Sequence, residues 1–141
     1  MKRVDIYTDG SCIVDKGYGG WSVVSKDFQF SGGANKTTNN QMELTAIWKA
    51  IMYAKDKYDE IHIYSDSQYA ISTLTNWAYK WEANGWIKKG GIKNLKLIKK
   101  IFKLLKKKPN IHFHKVKAHD GNEMNEIADK LAKEAINKKF F

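Results

Sequence analysis

Cysteine is nearly absent from the chain. Cys12 stands alone, so no internal disulfide can form and no cysteine-based zinc site can be built, which fits a reducing compartment. Proline is as scarce, with Pro109 alone. Long apolar runs are missing too: nothing approaches the roughly 18 uninterrupted apolar residues of a membrane span. The opening Met1-Lys2-Arg3-Val4 runs straight into strand-like sequence and leaves no room for a signal peptide. The expectation is a cytoplasmic protein without a membrane partner. No repeat or linker divides the 141 residues, and 43% hydrophobic content suffices for one core, so a single domain over 1–141 is expected.

Acids are missing from one stretch. Between Trp77 and Lys117 thirteen lysines face a single acid, Glu82, so that with +10 overall the rest of the chain carries about −2. A local excess of this kind suits a polyanionic partner whose phosphates release counterions. It also suits a solvated lysine-rich face.

What is present is patterned. Gly19-Gly20 and Gly32-Gly33 bound runs of β-formers at Val4 to Thr8, Trp21 to Ser25 and Phe28 to Phe30, which predict a three-strand meander. Met42, Ala46, Ile47, Ala50, Ile51 and Ala54 then recur at helical spacing, with Thr38, Asn39 and Asn40 as cap side chains. Ile61 to Tyr64 predicts a fourth strand. Ser67 opens a second helix through Thr73, followed by a Trp-rich helical piece near Trp77 to Asn84. Leu95 to Leu105 is a lysine-studded amphipathic helix ended by Pro109, Ile111 to Val116 alternates as a fifth strand, and Asn125 to Ala135 predicts a last helix. This order describes an α/β fold: a five-stranded mixed sheet, three antiparallel strands plus two parallel, flanked by helices.

Ligand sites in such sheets gather beyond the carboxyl ends of the parallel strands, and four acids head there. Asp9 ends the first strand and Asp66 the fourth, so neighbouring parallel strands would set the two carboxylates side by side. Glu43 shares a helical stripe with Ile47, Ala50 and Ala54, and Asp129 one with Asn125, Ala132 and Ile136, while Lys130 and Lys133 point elsewhere. Inward acids are costly unless neutralised. A pair of Mg²⁺ ions does so, and two ions about 4 Å apart can hold the attacking and leaving oxygens of an in-line phosphoryl displacement. Taken singly, each acid also reads as a strand-end turn or a helix boundary.

The flanking words carry a resemblance. Thr8-Asp9-Gly10-Ser11-Cys12, Thr37-Thr38-Asn39-Asn40-Gln41-Met42-Glu43-Leu44, Tyr64-Ser65-Asp66-Ser67-Gln68-Tyr69, Val116-Lys117-Ala118-His119 and Asn125-Glu126-Ile127-Ala128-Asp129 resemble, in order, the motifs of type 1 ribonuclease H. The resemblance implies the ribonuclease H-like fold and an endonuclease that cuts the RNA strand of RNA/DNA hybrids, leaving 5′-phosphate and 3′-hydroxyl ends. It implies Asp9, Glu43, Asp66 and Asp129 as ligands for two Mg²⁺ ions, Mn²⁺ being the alternative, and His119 as an aid to turnover by moving a proton or helping product depart. His62, His112 and His114 lie on strands and read as structural.

For the substrate, the resemblance implies groove contacts from Asn39, Asn40 and Gln68, with Cys12 close by, although helix capping suits Asn39 or Asn40 and a small buried filler suits Cys12. Trp77, Trp81 and Trp86, interleaved with Lys80, Lys88 and Lys89, are similar to the family's basic protrusion gripping the DNA strand; core packing is the rival role for Trp81. Thr38 and Asn94 match a pocket for a DNA phosphate. Lys96 to Lys108 read as solvated helix face. Two departures stand out: Val14-Asp15-Lys16-Gly17 replaces a Gly-Asn-Pro-Gly-like turn, and the loop before Asn94 is two residues short. The chain carries no motif of a separate hybrid-binding domain, which implies low processivity. No obligatory protein partner is expected, and a monomer is the simplest state. The other readings are a non-catalytic hybrid-binding module, a different nuclease of this fold, and a ribonuclease H domain of a reverse transcriptase.

Overall fold

The glycine-punctuated start of the chain folds as the expected meander. In the computed structural model, which describes residues 2–117 and 121–141, β1 (Arg3–Ile13), β2 (Tyr18–Ser25) and β3 (Gln29–Ala34) pair antiparallel. β4 (Glu60–Ser65) and β5 (Ile111–Lys115) add parallel to β1, giving the order β3-β2-β1-β4-β5. The helices are α1 (Asn39–Ala54), α2 (Gln68–Ser72), α3 (Ala78–Ala83), α4 (Leu95–Lys107) and α5 (Glu123–Phe140). None is long and apolar enough to cross a membrane.

Several bounds differ from the sequence reading. β1 runs five residues past Thr8, because its far half keeps β2 as a partner after leaving β4. β3 passes through Gly32-Gly33, which act as close-approach residues in the strand and not as its boundary. At Gly32 a Cβ would strike the Trp21 indole. Thr38, and neither Asn39 nor Asn40, caps α1, its hydroxyl accepting from the Gln41 N–H at 3.1 Å. A π-helical turn at Thr73–Trp77 joins α2 to α3, so two expected pieces form one interrupted helical run. The last helix starts two residues earlier, capped by Asn122, and continues to Phe140, whose ring stacks on Tyr18 at 4.0 Å.

Adjacent strand residues point to opposite faces, which separates the layers. A Cβ on Gly19 would meet Thr37 and Met42 beside α1, and one on Gly20 would meet Ala132 and Ile136 of α5. The main core lies on the α1 side, where Val4, Ile6, Val23, Ile61 and Ile63 meet Leu44, Ile47, Ile51, Leu74, Ile98, Ile101 and Phe102. Each fully buried aliphatic there contributes about 1.5–3 kcal/mol. α4 presents Ile98, Ile101 and Phe102 at helical spacing and sends its lysines to solvent, as expected. α5 covers the opposite face over β1, β2 and β3, and the Ser22 hydroxyl donates to the Ala128 carbonyl at 2.6 Å.

The Gly20 contact yields a prediction. A methyl there would sit 2.1 Å from the Ala132 carbonyl oxygen, so Gly20→Ala should lower stability by about 1–3 kcal/mol, as overpacking does. Urea unfolding measures this, and an unchanged midpoint would mean that α5 is not seated on β2.

Candidate active site

The parallel ladder between β1 and β4 ends at the pair Tyr7↔Tyr64. Two residues further on are Asp9, still in β1, and Asp66, just past the end of β4, so the register brings the two acids together. Asp9 is thus not the last residue of its strand; it stands where β1 parts from β4 while still paired with Ser22 of β2. Ser67 caps α2 by accepting from the Ala70 N–H at 3.1 Å, and the Ser65 hydroxyl accepts from the Ser67 N–H at 3.1 Å, which fixes the turn carrying Asp66.

Glu43 arrives from the second turn of α1. That turn lies so close to β1 that a Cβ on Gly10 would come within 2.3 Å of the Glu43 nitrogen. The Gly10 N–H donates to Glu43 Oε1. Asp9, Glu43 and Asp66 each offer a carboxylate oxygen within 4.8 Å of the others, and Asp9 and Glu43 are buried. Three hard oxygen donors suit a divalent ion such as Mg²⁺.

Burial first, and then the neighbouring carboxylates, push the Asp9 pKa well above the ordinary carboxylate range, with Asp66 the strongest of those charges. Burial and then the Asp9 charge raise Glu43 further, and a hydrogen bond to Asp9 holds the proton on Glu43. Without a counter-charge the pair shares a proton, as closely set carboxylates must. A divalent ion can replace that proton.

Asp129 sits on α5 beside this cluster and outside it. It is near enough to raise Asp9, and Lys133, one turn on, pairs with its Oδ2 at 3.2 Å. Lys133 therefore does not point elsewhere; the Asp129-to-Lys133 spacing of four residues was the signal for that pair. Asn125 and Ala132, on the same stripe, are buried as expected. His119 lies outside the described residues.

The substrate residues fall into separate groups. Cys12, Thr38, Asn39 and Asn40 line one cavity of about 380 Å³ with Val14 and Thr37. Cys12 is half-buried there and not a core filler, and Asn39 and Asn40 are exposed, free of capping. Gln68, Trp77, Trp81 and Lys88 line a second cavity of about 340 Å³ with Tyr69, Ser72 and Thr73. Lys80 Nζ lies 4.9 Å from the Trp77 ring centre, while Trp81 also packs on the core. Trp86 does not join them. It packs edge-on against Phe102 of α4, with a left-handed φ of 63°. Lys89 is exposed. Asn94 also has a left-handed backbone, and its amide donates to the Tyr69 hydroxyl at 3.0 Å. Asp15 and Lys16 are both exposed.

Known proteins resemble the chain in sequence and in fold. A family model for RNase H matches residues 1–137. The ribonuclease H of Ruthia magnifica subsp. Calyptogena magnifica is 39% identical over 144 residues, 98% of each chain. That of Ehrlichia ruminantium (strain Gardel) is 41% identical, with 96% of each chain covered. Among solved structures, LC9-RNase H1, a type 1 RNase H with the type 2 active-site motif, matches at a TM-score of 0.85 and 26% identity, over 98% of this chain and 74% of that one. The foamy viral protease-reverse transcriptase in complex with dsDNA matches at a TM-score of 0.85 over 97% of this chain and 96% of that one. At 23% identity it shows the shared fold alone.

The raised acids generate a prediction. Their folded-state affinity for protons exceeds that of the unfolded chain, so their contribution is favourable at low pH and is lost as pH rises from about 4 through the raised values. In chelator, Asp9→Asn should therefore become more stable than the unsubstituted protein as pH rises, by about 1 kcal/mol or more at pH 8. Thermal unfolding across pH measures the difference, and a pH-independent gap would contradict the assigned burial.

Proposed function

The chain belongs to the RNase H family, as a type 1 member, and from that premise we propose that it is an endonuclease hydrolysing the RNA strand of RNA/DNA hybrids. The observation that carries the reading is the convergence of Asp9, Glu43 and Asp66 within 4.8 Å where β1 and β4 part. Asp9, Glu43, Asp66 and Asp129 would hold two divalent ions, Mg²⁺ or Mn²⁺. When bound, these supply the positive charge that stabilises the attacking and leaving oxygens of an in-line displacement, leaving 5′-phosphate and 3′-hydroxyl ends.

The chain's own residues do the rest. The Gly10 amide orients Glu43, and Lys133 holds the Asp129 carboxylate beside the cluster. His119 would exchange a proton with the leaving oxygen or help product depart. The cavity lined by Cys12, Asn39 and Asn40 supports a role in reading the hybrid's groove by shape and sugar identity. The Thr38 hydroxyl, although it accepts a capping bond, still has its own proton to give to a phosphate, and Asn94 would join it there. Gln68, Trp77, Trp81 and Lys88 border the second cavity, which with Lys80 and Lys89 would meet the DNA strand through sugar stacking and phosphate contacts. Trp86, turned onto α4, would support that segment from behind.

The deciding assay offers end-labelled hybrid, duplex RNA and duplex DNA, with Mg²⁺ and then with chelator. Only the hybrid should be cut, in its RNA strand and only with the ion; cleavage of duplex DNA or cleavage in chelator would refute the reading. Asp9→Asn should lower kcat by at least about 10²–10³-fold, the scale of losing one preorganised stabilising group, with hybrid binding still measurable. Hybrid binding with no cleavage by the unsubstituted chain would favour the binding-module alternative. Changing Lys80, Lys88 and Lys89 together to Ala should raise KM and flatten its salt dependence by about one logarithmic unit per lost phosphate contact. An unchanged KM would remove these lysines from the substrate path.

A further inference from the structure

Among the described residues, α5 packs over β1, β2 and β3, and the same face of β4 and β5 carries three histidines, of which His62 is buried. His62 of β4 pairs with Asp5 of β1 on one side and with His112 of β5 on the other. His114, two residues on and so on the same face as His112, pairs with Tyr64. The rings of His62 and His112 stack at 4.7 Å, and those of His62 and His114 at 5.0 Å.

The hydrogen bonds select a tautomer. His62 Nε2 lies 2.6 Å from Glu60 Oε2, and an ionised carboxylate can only accept, so Nε2 carries the proton. His62 Nδ1 is hydrogen-bonded to His114 Nε2 at 2.7 Å, and with the Nε2 proton directed to Glu60 it is the acceptor there. A carboxylate that takes one ring N–H and leaves the other ring nitrogen as an acceptor is the arrangement that orients metal-binding histidines elsewhere. Arg3 reaches Glu60 at 3.7 Å and Asp5 at 2.9 Å, holding the carboxylate row in place.

We propose that His62, His114 and His112 form a second metal site, distinct from the acidic cluster, for an imidazole-preferring transition-metal ion of the Zn²⁺, Ni²⁺ or Cu²⁺ class. Such ions favour nitrogen donors, whereas Mg²⁺ favours the oxygens of Asp9, Glu43 and Asp66. Ligands about 2.0–2.1 Å from a tetrahedral ion stand roughly 3.3–3.4 Å apart, so the His62 and His114 nitrogens, hydrogen-bonded to each other at 2.7 Å, must give up that bond, part and turn both lone pairs toward a common ion. As the rings stand, the acidic triad alone among the described residues brings three donors within 4.8 Å. Completing the histidine set takes a rotation of His112, whose exposed ring lies on the edge strand β5. Water would fill the fourth position.

Zn²⁺ titration of the full chain in excess Mg²⁺, read by competition with a colorimetric chelator, tests the site. One Zn²⁺ should bind per chain, and binding should persist in Asp66→Asn. The double variant His112→Gln with His114→Gln should abolish it while leaving Mg²⁺-dependent hybrid cleavage unchanged, and Glu60→Gln should weaken it about ten- to hundredfold. Bound Cu²⁺ should show nitrogen hyperfine coupling that the double variant lacks. No Zn²⁺ uptake, or uptake lost in Asp66→Asn and kept in the double histidine variant, would overturn the proposal.

Discussion

The contact of α1 with β1 at Gly10 is the constraint from which the rest of the site follows. With no side chain at that position, the Met42 and Glu43 backbone lies directly against the strand, and the Glu43 carboxylate has nowhere to go but beside Asp9. The result is unfavourable in isolation: two carboxylates out of water, both raised first by burial, with the Asp9 charge raising Glu43 further and the Asp66 charge raising Asp9. It is held by what lies beneath. Leu44, Ile47, Ala50 and Ile51 of the same helix are fully buried against the sheet, and at about 1.5–3 kcal/mol for each of the larger side chains their packing exceeds the cost of one shared proton. The helix cannot withdraw Glu43 without giving up that core.

Charge is segregated on the same logic. The lysine-rich run from Trp77 to Lys117 supplies the basic surface, and only Glu82 within it, paired with Lys106 at 2.7 Å, draws on that charge internally. The acids sit at the fork of β1 and β4, with Lys133 as the nearby cation of Asp129. A polyanion would be attracted by the first region and repelled by the second until the acids are neutralised. Ion binding and substrate approach are then coupled through electrostatics, with no moving part required.

The sequence made the sheet order, the helix faces and the convergence of Asp9, Glu43 and Asp66 legible, because strand alternation and helical stripes are local patterns with direct geometric meaning. It was misleading where tertiary contact decided. Gly32-Gly33 looked like a turn, since a sequence does not reveal that the Trp21 ring needs the space beside Gly32. The end of β1 was invisible because its two edges lose their partners at different residues. The π turn at Thr73–Trp77 carries no composition signal, and Trp86 looked equivalent to Trp77 and Trp81 until its backbone turned it onto Phe102. Lys133 was misplaced by counting helix faces without allowing for the reach of a lysine one turn away. The three histidines read as structural residues of separate strands because their proximity depends on pairing between positions far apart in the chain, such as His62 and His112.

That pairing is the common origin of both donor sets. The register placing Tyr7 opposite Tyr64 puts Asp5 opposite His62 two residues one way and leads to Asp9 and Asp66 two residues the other way. β5 then aligns His112 and His114 on the same row. From His62 to Asp66 is four residues, about 13 Å of extended chain, and over that span the available donors change from nitrogen to oxygen. α1 adds a third carboxylate at one end, while α5 packs over β1, β2 and β3. A one-residue slip of β4 would turn His62 and Tyr64 into the core, bring Ile61 and Ile63 out to solvent, and part Asp66 from Asp9. The full burial of Ile61 and Ile63 against α1 therefore fixes the positions of the acids and the histidines together.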